Sequence, residues 1–503
     1  MNKETKKEWF LDRYCGNQFA ALLEDGVLTE FACEKESRIE CVGSIYKGKI
    51  TNVVSSINAA FIACGLSRNC YLSMTESYTD YTKYDGTMSE MNKEKPPFKV
   101  GDEIIVQLTQ PSRGSKGAKM STNLSFVGKH IIYLPKTSFV GISRKITDTA
   151  QREALLSMAD KMRDSQEEGF IVRTQAPFAT EQELRDEATY LKKLYIDMLK
   201  NAESAPVGAI LYEDEDLPVR VMRDSFGESI STIHVGDEEL YQRLLKLIRL
   251  QGYISEEKLI KYTGERSMLR EYGIMPLVYD AATPTVPLEN GGYLVIDHTE
   301  AMTVVDVNTG SYIGKNNLEE TVFAMNLVAA KEIARQVRLR NIGGIIAVDF
   351  IDMSEENHRL AVTEELTNHL AKDNTKTHVL PMNELCVTHF TRKRVGYDVL
   401  SYLVKPCEYC KGNGHVHDDI FVISRMRADL LDLFTEGYSI AVVDLNERIL
   451  DKIFSEKLFS IEAKNRWKDK KIYFIPHKTY REDYYTVRGE NTPILQEKAQ
   501  LLQ

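Results

Sequence analysis

Short apolar runs that stop on an aspartate recur in the central part of the chain. Residues 293–296 lead to Asp297, 302–305 to Asp306 and 345–348 to Asp349. Runs of this length, rich in Val and Ile and bounded by Gly, read as buried strands. Between the second and third, apolar positions recur at Leu318, Val322, Met325, Ala329 and Ile333, and Gly343-Gly344 follows. That spacing predicts a helix over 318–340 that stops at the glycines. The unit reads strand, turn, strand, helix, strand.

Elsewhere the pattern changes. Residues 18–23 and 27–32 are strand-like but too few to close a core, so they are expected to join something later in the chain. From Ser44, SIYKGKITNVVSSINAAFIACG alternates, followed by NCYLSM and KVGDEIIVQLTQ. These short strands predict a small barrel, with 78–98 as a long surface loop. Helices are predicted at 151–163 and 181–200 around the strand GFIVRT. VRVMRDSF reads as a strand, 237–249 and 355–373 as helices, HVLPMNELCV as a strand. Residues 417–503 alternate helix and strand and carry no motif.

At 503 residues the chain is long enough for three or four domains of about 150 residues each. Its net charge of −10 gives no global basic field, so a nucleic acid would have to be held by local patches. Candidates are Lys47, Lys49, Phe61 and Tyr71 on one barrel face, where rings and a basic groove suit a single strand. Others are Arg113, Lys116 and Lys119 in SRGSKGAKMST, the loop GISRKITD, and the cluster 391–394. Arg173 and Thr174 at a strand end could grip a terminal phosphate. Of eight cysteines only Cys407 and Cys410 are close in sequence. No leader pattern opens the chain, and no apolar run nears the roughly 20 residues of a membrane span. A reducing cytoplasm is expected, where such a pair serves as a metal ligand rather than a disulfide.

Asp306 and Asn308, two apart on a strand, face the same side. Asp349 ends a neighbouring strand. Two carboxylates side by side repel unless a cation lies between them, and magnesium with water and phosphate would supply it. A lone aspartate at a strand end often caps a turn; the combination points to chemistry, although spacing alone does not name a nuclease. Asp297 and Asp352 are the nearby decoys. Asp352 is expected on the opposite strand face, capping a helix that begins near Ser354.

GGYLVIDHTEAMTVVDVNTG, EIARQVRLRNIGGIIAVDFIDM, GFIVRT, FTRKR and Cys-x-x-Cys-x-Gly-x-Gly occur in this order, and the chain here resembles the ribonuclease E and ribonuclease G family over about 44–416. With no long tail after the catalytic region, it looks more like the ribonuclease G branch or a short ribonuclease E. The resemblance implies an α/β multidomain endoribonuclease. Residues 1–38 and 219–281 would form an RNase H-like subdomain, with an OB-fold barrel at 39–125 inserted in it. A 5′-phosphate sensor would span 126–218 and a DNase I-like catalytic domain 282–403. A zinc-link at 404–416 and a small C-terminal α/β domain at 417–503 would follow. The catalytic residues fall on Asp306, Asn308 and Asp349, with magnesium on the two aspartates. The 5′-phosphate pocket falls on Arg173, Thr174, Gly128 and Ile132, and RNA binding on Phe61, Tyr71 and Lys116. Zinc would be shared by the Cys407–Cys410 pairs of two chains, in a homodimer or homotetramer. Within one chain, His415 and His417 offer a competing Cys2His2 set.

The implied activity is magnesium-dependent hydrolysis of single-stranded RNA, stimulated by a 5′-monophosphate, in cytoplasmic rRNA processing and mRNA decay. Three positions depart from the family pattern: Tyr71 stands where phenylalanine is common, Glu408 where proline is usual, and Gly396-Tyr397-Asp398 interrupts the basic stretch after TRKR. The rival readings are a metal-dependent DNA nuclease and a catalytically dead RNA-binding ribosome-assembly factor.

Overall fold

The computed structural model describes residues 5–35, 40–74, 98–112, 116–143, 145–224, 230–251, 254–310, 318–492 and 499–502. Most of the predicted loop at 78–98, together with Arg113 and Arg144, lies outside them. The chain forms two compact units, Met1–Val404 and Lys405–Gln503.

In the first unit the N-terminal strands are completed from far along the chain. Lys7–Tyr14 pairs antiparallel with Asn17–Glu24, which pairs with Val27–Lys35. On its other side Lys7–Tyr14 takes Ile230–Val235 in parallel, and Leu259–Lys261 adds beyond it. Residues 219–224 of the expected strand VRVMRDSF, whose last two residues lie outside the described ones, lie instead in a helix, Leu217–Asp224. Pro218 sits in its first turn, where a missing N–H costs nothing, and Leu217, Val219 and Met222 pack into the core below the sheet. A boundary drawn at 218 therefore cuts through a helix.

Five strands close the barrel: Ile45–Val54, Ala59–Ala63, Cys70–Ser73, Lys119–Ser121 and Glu103–Gln110, the last pairing back onto the first. This closure is consistent with an OB-like fold. Phe61 and Tyr71 are register partners, half-buried, with ring centroids 6.3 Å apart. They lie outside the barrel core, and Lys116 is exposed. Lys47 is a correction. Its ammonium donates to the carbonyls of Ala202 and Ala205 and pairs with Glu103, so it closes a helix C-terminus instead of facing a ligand.

Residues 126–204 build a four-stranded sheet: Val140–Ile142, Glu168–Val172, Ile131–Pro135, Phe126–Val127. It is backed by helices Thr149–Lys161 and Glu181–Ser204. Thr180 and Glu183 close the second helix start as a capping box.

The third sheet has six strands, labelled here β1 (Thr285–Pro287), β2 (Tyr293–His298), β3 (Met302–Asn308), β4 (Gly344–Asp349), β5 (Thr377–Val379) and β6 (Val387–Arg392). Their order is β1-β2-β3-β4-β6-β5. Helices α1 (Leu318–Leu339) and α2 (Glu356–Leu370) cover one face. Leu294, Ile296, Val305, Ile346 and Val348 point into that core. The strands are therefore not buried on both sides, as their apolar runs predict. Met302 and Ile345 remain 39% and 45% exposed on the open face. All pairings except β3–β4 are antiparallel, and such a mixed sheet can leave one face open. HVLPMNELCV is not one strand: β5 ends at Val379, and β6 starts at Val387.

The second unit has its own core around a four-stranded sheet, ordered Tyr485–Glu490, Ile440–Asn446, Lys471–His477, Gln500–Leu502, with helices Asp419–Thr435 and Glu447–Ser455. Among the described residues no helix is long and apolar enough to cross a membrane.

Candidate active site

β3 and β4 run in parallel, and their last register pair is Asp306 with Asp349. The partners stand on the open face at the carboxyl ends of adjacent strands, and both are exposed. Asn308, one same-face step beyond, donates its amide to the Asp306 carboxylate at 2.7 Å. The Asp349 carboxyl is held above its ordinary range by burial first, and then by the like charges of Asp306 and Asp352. Among the described residues no Lys or Arg forms an ion pair with these three carboxylates. Nor do three His, Cys, Asp or Glu side chains there converge as metal ligands. What this corner offers is a two-carboxylate hold on a hard cation whose remaining positions go to water and phosphate, which suits magnesium.

The two decoys differ. Asp297 pairs with Val304, one same-face step back from Asp306. Asp352 is a correction. β4 ends at Asp349, so strand alternation does not reach it, and its charge acts on Asp349. Nor does it cap α2. The N-cap is Glu355, with no side-chain cap bond of its own. The N–H groups of Ser354 and Glu355 instead donate to Glu319 of α1, at 3.2 and 3.3 Å.

The four residues expected at a 5′-phosphate pocket also come together. Arg173 follows the strand Glu168–Val172 and donates to the Gly128 carbonyl at 2.6 Å. Thr174 and Ser143 hydroxyls are 2.8 Å apart. Ile132 pairs with Ile171 in the sheet. Glu187 accepts from the backbone amides of Lys129 and His130 beside Gly128. The Arg173 guanidinium, however, already holds a carboxylate: Asp224, at 2.7 Å. Arg223 binds the same oxygen at 3.1 Å; desolvation acts to raise the half-exposed Asp224 carboxyl, but the two guanidinium groups outweigh it and hold it below the usual carboxylate range.

A model of the ribonuclease E/G family matches residues 125–395. Ribonuclease G of Haemophilus influenzae is 34% identical over 399 residues, covering 79% of this chain and 81% of that protein. Ribonuclease G of Escherichia coli strain K12 is 35% identical over 404 residues, with the same coverage. Ribonuclease E of Escherichia coli strain K12 is 29% identical over 492 residues, which are 94% of this chain and 45% of that protein. The chain belongs to the ribonuclease E/G family.

In this ribonuclease E/G family member a cleft of about 1610 Å³ lies between the 126–204 sheet and the end of the six-stranded sheet where Arg392 pairs with Gly344, and neither Asp306 nor Asp349 lines it. Ile132, Lys136 and Arg173 line it on one side, Lys376, Lys393 and Arg394 on the other. Arg392, the first basic residue of the predicted cluster, is buried and pairs with Asp373 at 2.6 Å. Only part of the 391–394 cluster is therefore open to a ligand.

In the second unit Cys407 is exposed and Cys410 half-buried, both as thiols. The Cys410 thiol is held below its ordinary value, chiefly by the Gly414 N–H and then by Gly412. Backbone amides that favour a thiolate suit a metal ligand. His415 and His417 do not join the cysteines in a metal cluster among the described residues. The sequence reading missed Asp224, Ser143, Glu187 and Glu319. Asp224 was hidden by reading its helix as a strand; the others touch their partners only through the fold.

Proposed function

We propose that this endoribonuclease cuts single-stranded RNA by magnesium-dependent hydrolysis, leaving 5′-phosphate and 3′-hydroxyl ends, and that it prefers RNA with a 5′-monophosphate. The observation that carries the reading is the register pair of Asp306 and Asp349, two carboxylates on one face with no cation beside them among the described residues. Those two side chains would hold the magnesium. When bound, it polarises the scissile phosphate, activates water and offsets charge on the leaving oxygen. Asn308 neither titrates nor needs to: its amide orients Asp306 and sits where it can position the phosphate or the water by hydrogen bonding. Phe61 and Tyr71 offer stacking faces and Lys116 a charge for the strand. Arg173 and Thr174, beside Gly128 and Ile132, hold the 5′ end.

This reading puts the protein in cytoplasmic rRNA processing and mRNA decay. It also makes the protein a homodimer or homotetramer, in which two chains share zinc through Cys407 and Cys410. Structural zinc wants four ligands and one chain supplies two thiolates, so metal analysis should give near one half zinc per chain.

The deciding experiment offers 5′-monophosphorylated single-stranded RNA and DNA of the same sequence, each in magnesium and in EDTA. RNA is expected to be cut only with magnesium, and DNA left intact. Equal cutting of DNA would favour the DNA-nuclease reading. Intact RNA in magnesium would favour the non-catalytic one.

A further inference from the structure

β4 loses its neighbours at Asp349. β3 offers no register partner beyond Asp306, and Phe350 makes one last backbone bond to Cys386. The chain then has to turn toward α2 with Asp352 in the turn. Where a strand would have continued, a side chain takes over. Asn326, fully buried on α1, accepts from the Ile351 N–H at 3.2 Å and donates to the Ile351 carbonyl at 2.9 Å. Its neighbours on that helix face are Val322, Met325, Ala329, Ala330 and Ile333. An amide among them costs free energy unless both ends are bonded, and here both are bonded to one residue.

The rest of the turn is tied in the same manner. Met353 donates its N–H to the Cys386 sulfur at 3.0 Å and accepts from Arg359 at 2.7 Å. Glu319 takes the next two amides and lies 3.1 Å from the His358 ring.

We propose that Asn326 is a positioning residue for catalysis: by standing in for a missing strand at Ile351, it sets the exit direction of Asp349 and so the geometry of the two-carboxylate metal hold. The proposal rests on the assignment of Asp349 as a magnesium ligand. A carboxylate misplaced by about 1 Å can cost on the order of a hundredfold in rate, and the latched Ile351 lies only two residues after Asp349.

The test uses the full chain with Asn326→Leu, which keeps size and removes both bonds, and Asn326→Asp, which keeps the acceptor and removes the donor. Three quantities are read: the magnesium midpoint for cleavage, RNA affinity in EDTA, and the melting temperature. Expected for Asn326→Leu are a midpoint raised about tenfold or more and kcat lowered at least about tenfold, with RNA affinity unchanged. A purely structural role would lower the melting temperature and leave the magnesium midpoint at the native value, and that result overturns the proposal. If Asn326→Leu does not fold, Asn326→Asp decides on the same midpoint: a shift supports the latch, no shift removes it. Asp349→Asn runs beside them. If it cuts RNA normally, the catalytic reading itself has failed and this inference falls with it. If Asp349→Asn is inactive while both Asn326 variants keep the native midpoint, only the latch is wrong.

Discussion

The two charged sites of the first unit are built on opposite plans. At the ends of β3 and β4, like charges are brought together and left uncompensated by the described residues, and Asp349 shows the strain in its raised carboxyl. Around Arg173 the charge is already balanced: Arg173 and Arg223 share Asp224. A site of the first kind gains stability when a cation arrives. A site of the second kind gains only if the arriving anion does better than the carboxylate it displaces. On the proposed function, the first would hold the metal and the second would read the RNA end. A 5′-monophosphate bound there as proposed would have to compete with Asp224 for Arg173.

The largest effect that could break this comparison is on cleavage. Asp306→Asn should keep the fold and RNA binding and lose several orders of magnitude in rate, which is more than about 4 kcal/mol of transition-state stabilisation. Near-normal cutting by this variant in magnesium would mean that the uncompensated corner is not the catalytic one, and Asp297 would be tested next. A smaller effect is expected at the compensated site. Unaltered protein should cut monophosphorylated RNA faster than triphosphorylated RNA, and Arg173→Gln should erase the difference, a change of about tenfold for one charge-assisted hydrogen-bond set. Equal rates on both RNAs before mutation would remove the sensor assignment.

The smallest effect is also the sharpest, because the two sites should respond with opposite sign. In EDTA at pH 7, Asp349→Asn should raise the melting temperature. The fold lifts the Asp349 pKa above its unfolded value, so the folded state binds the proton more tightly, and stability falls as pH rises through that window. The variant's advantage should therefore shrink as pH drops toward the ordinary aspartate value, and reverse in magnesium at pH 7. Asp224→Asn should instead destabilise by about 1 kcal/mol, discounted for the partial exposure of the pair, and added phosphate should restore part of the loss. Melting temperatures that move in the same direction for both variants would erase the distinction.

Much of the six-stranded sheet was legible because its signals are local. Apolar runs ending on Asp306 and Asp349, a helical repeat with Gly343-Gly344 after it, and the Asp306–Asn308 spacing are all set by a strand period of two and a helix period near 3.6. The barrel was legible for the same reason, from alternation and turn glycines. By itself the sequence determined these elements, the acidic balance of the chain and the resemblance to a ribonuclease family. The tertiary structure decided which face of each strand is open, because covering a sheet depends on where α1 and α2 dock. It turned 217–224 into a helix, since burial of Leu217 and Met222 against the N-terminal sheet outweighed a strand-like composition. It also took Lys47 from the nucleic-acid face and Asp352 from its cap. Pairings such as Arg173 with Asp224, or Asn326 with Ile351, join residues 51 and 25 positions apart. No local pattern encodes them, because hydrogen bonds and charges act through space, and only the packed chain sets those distances.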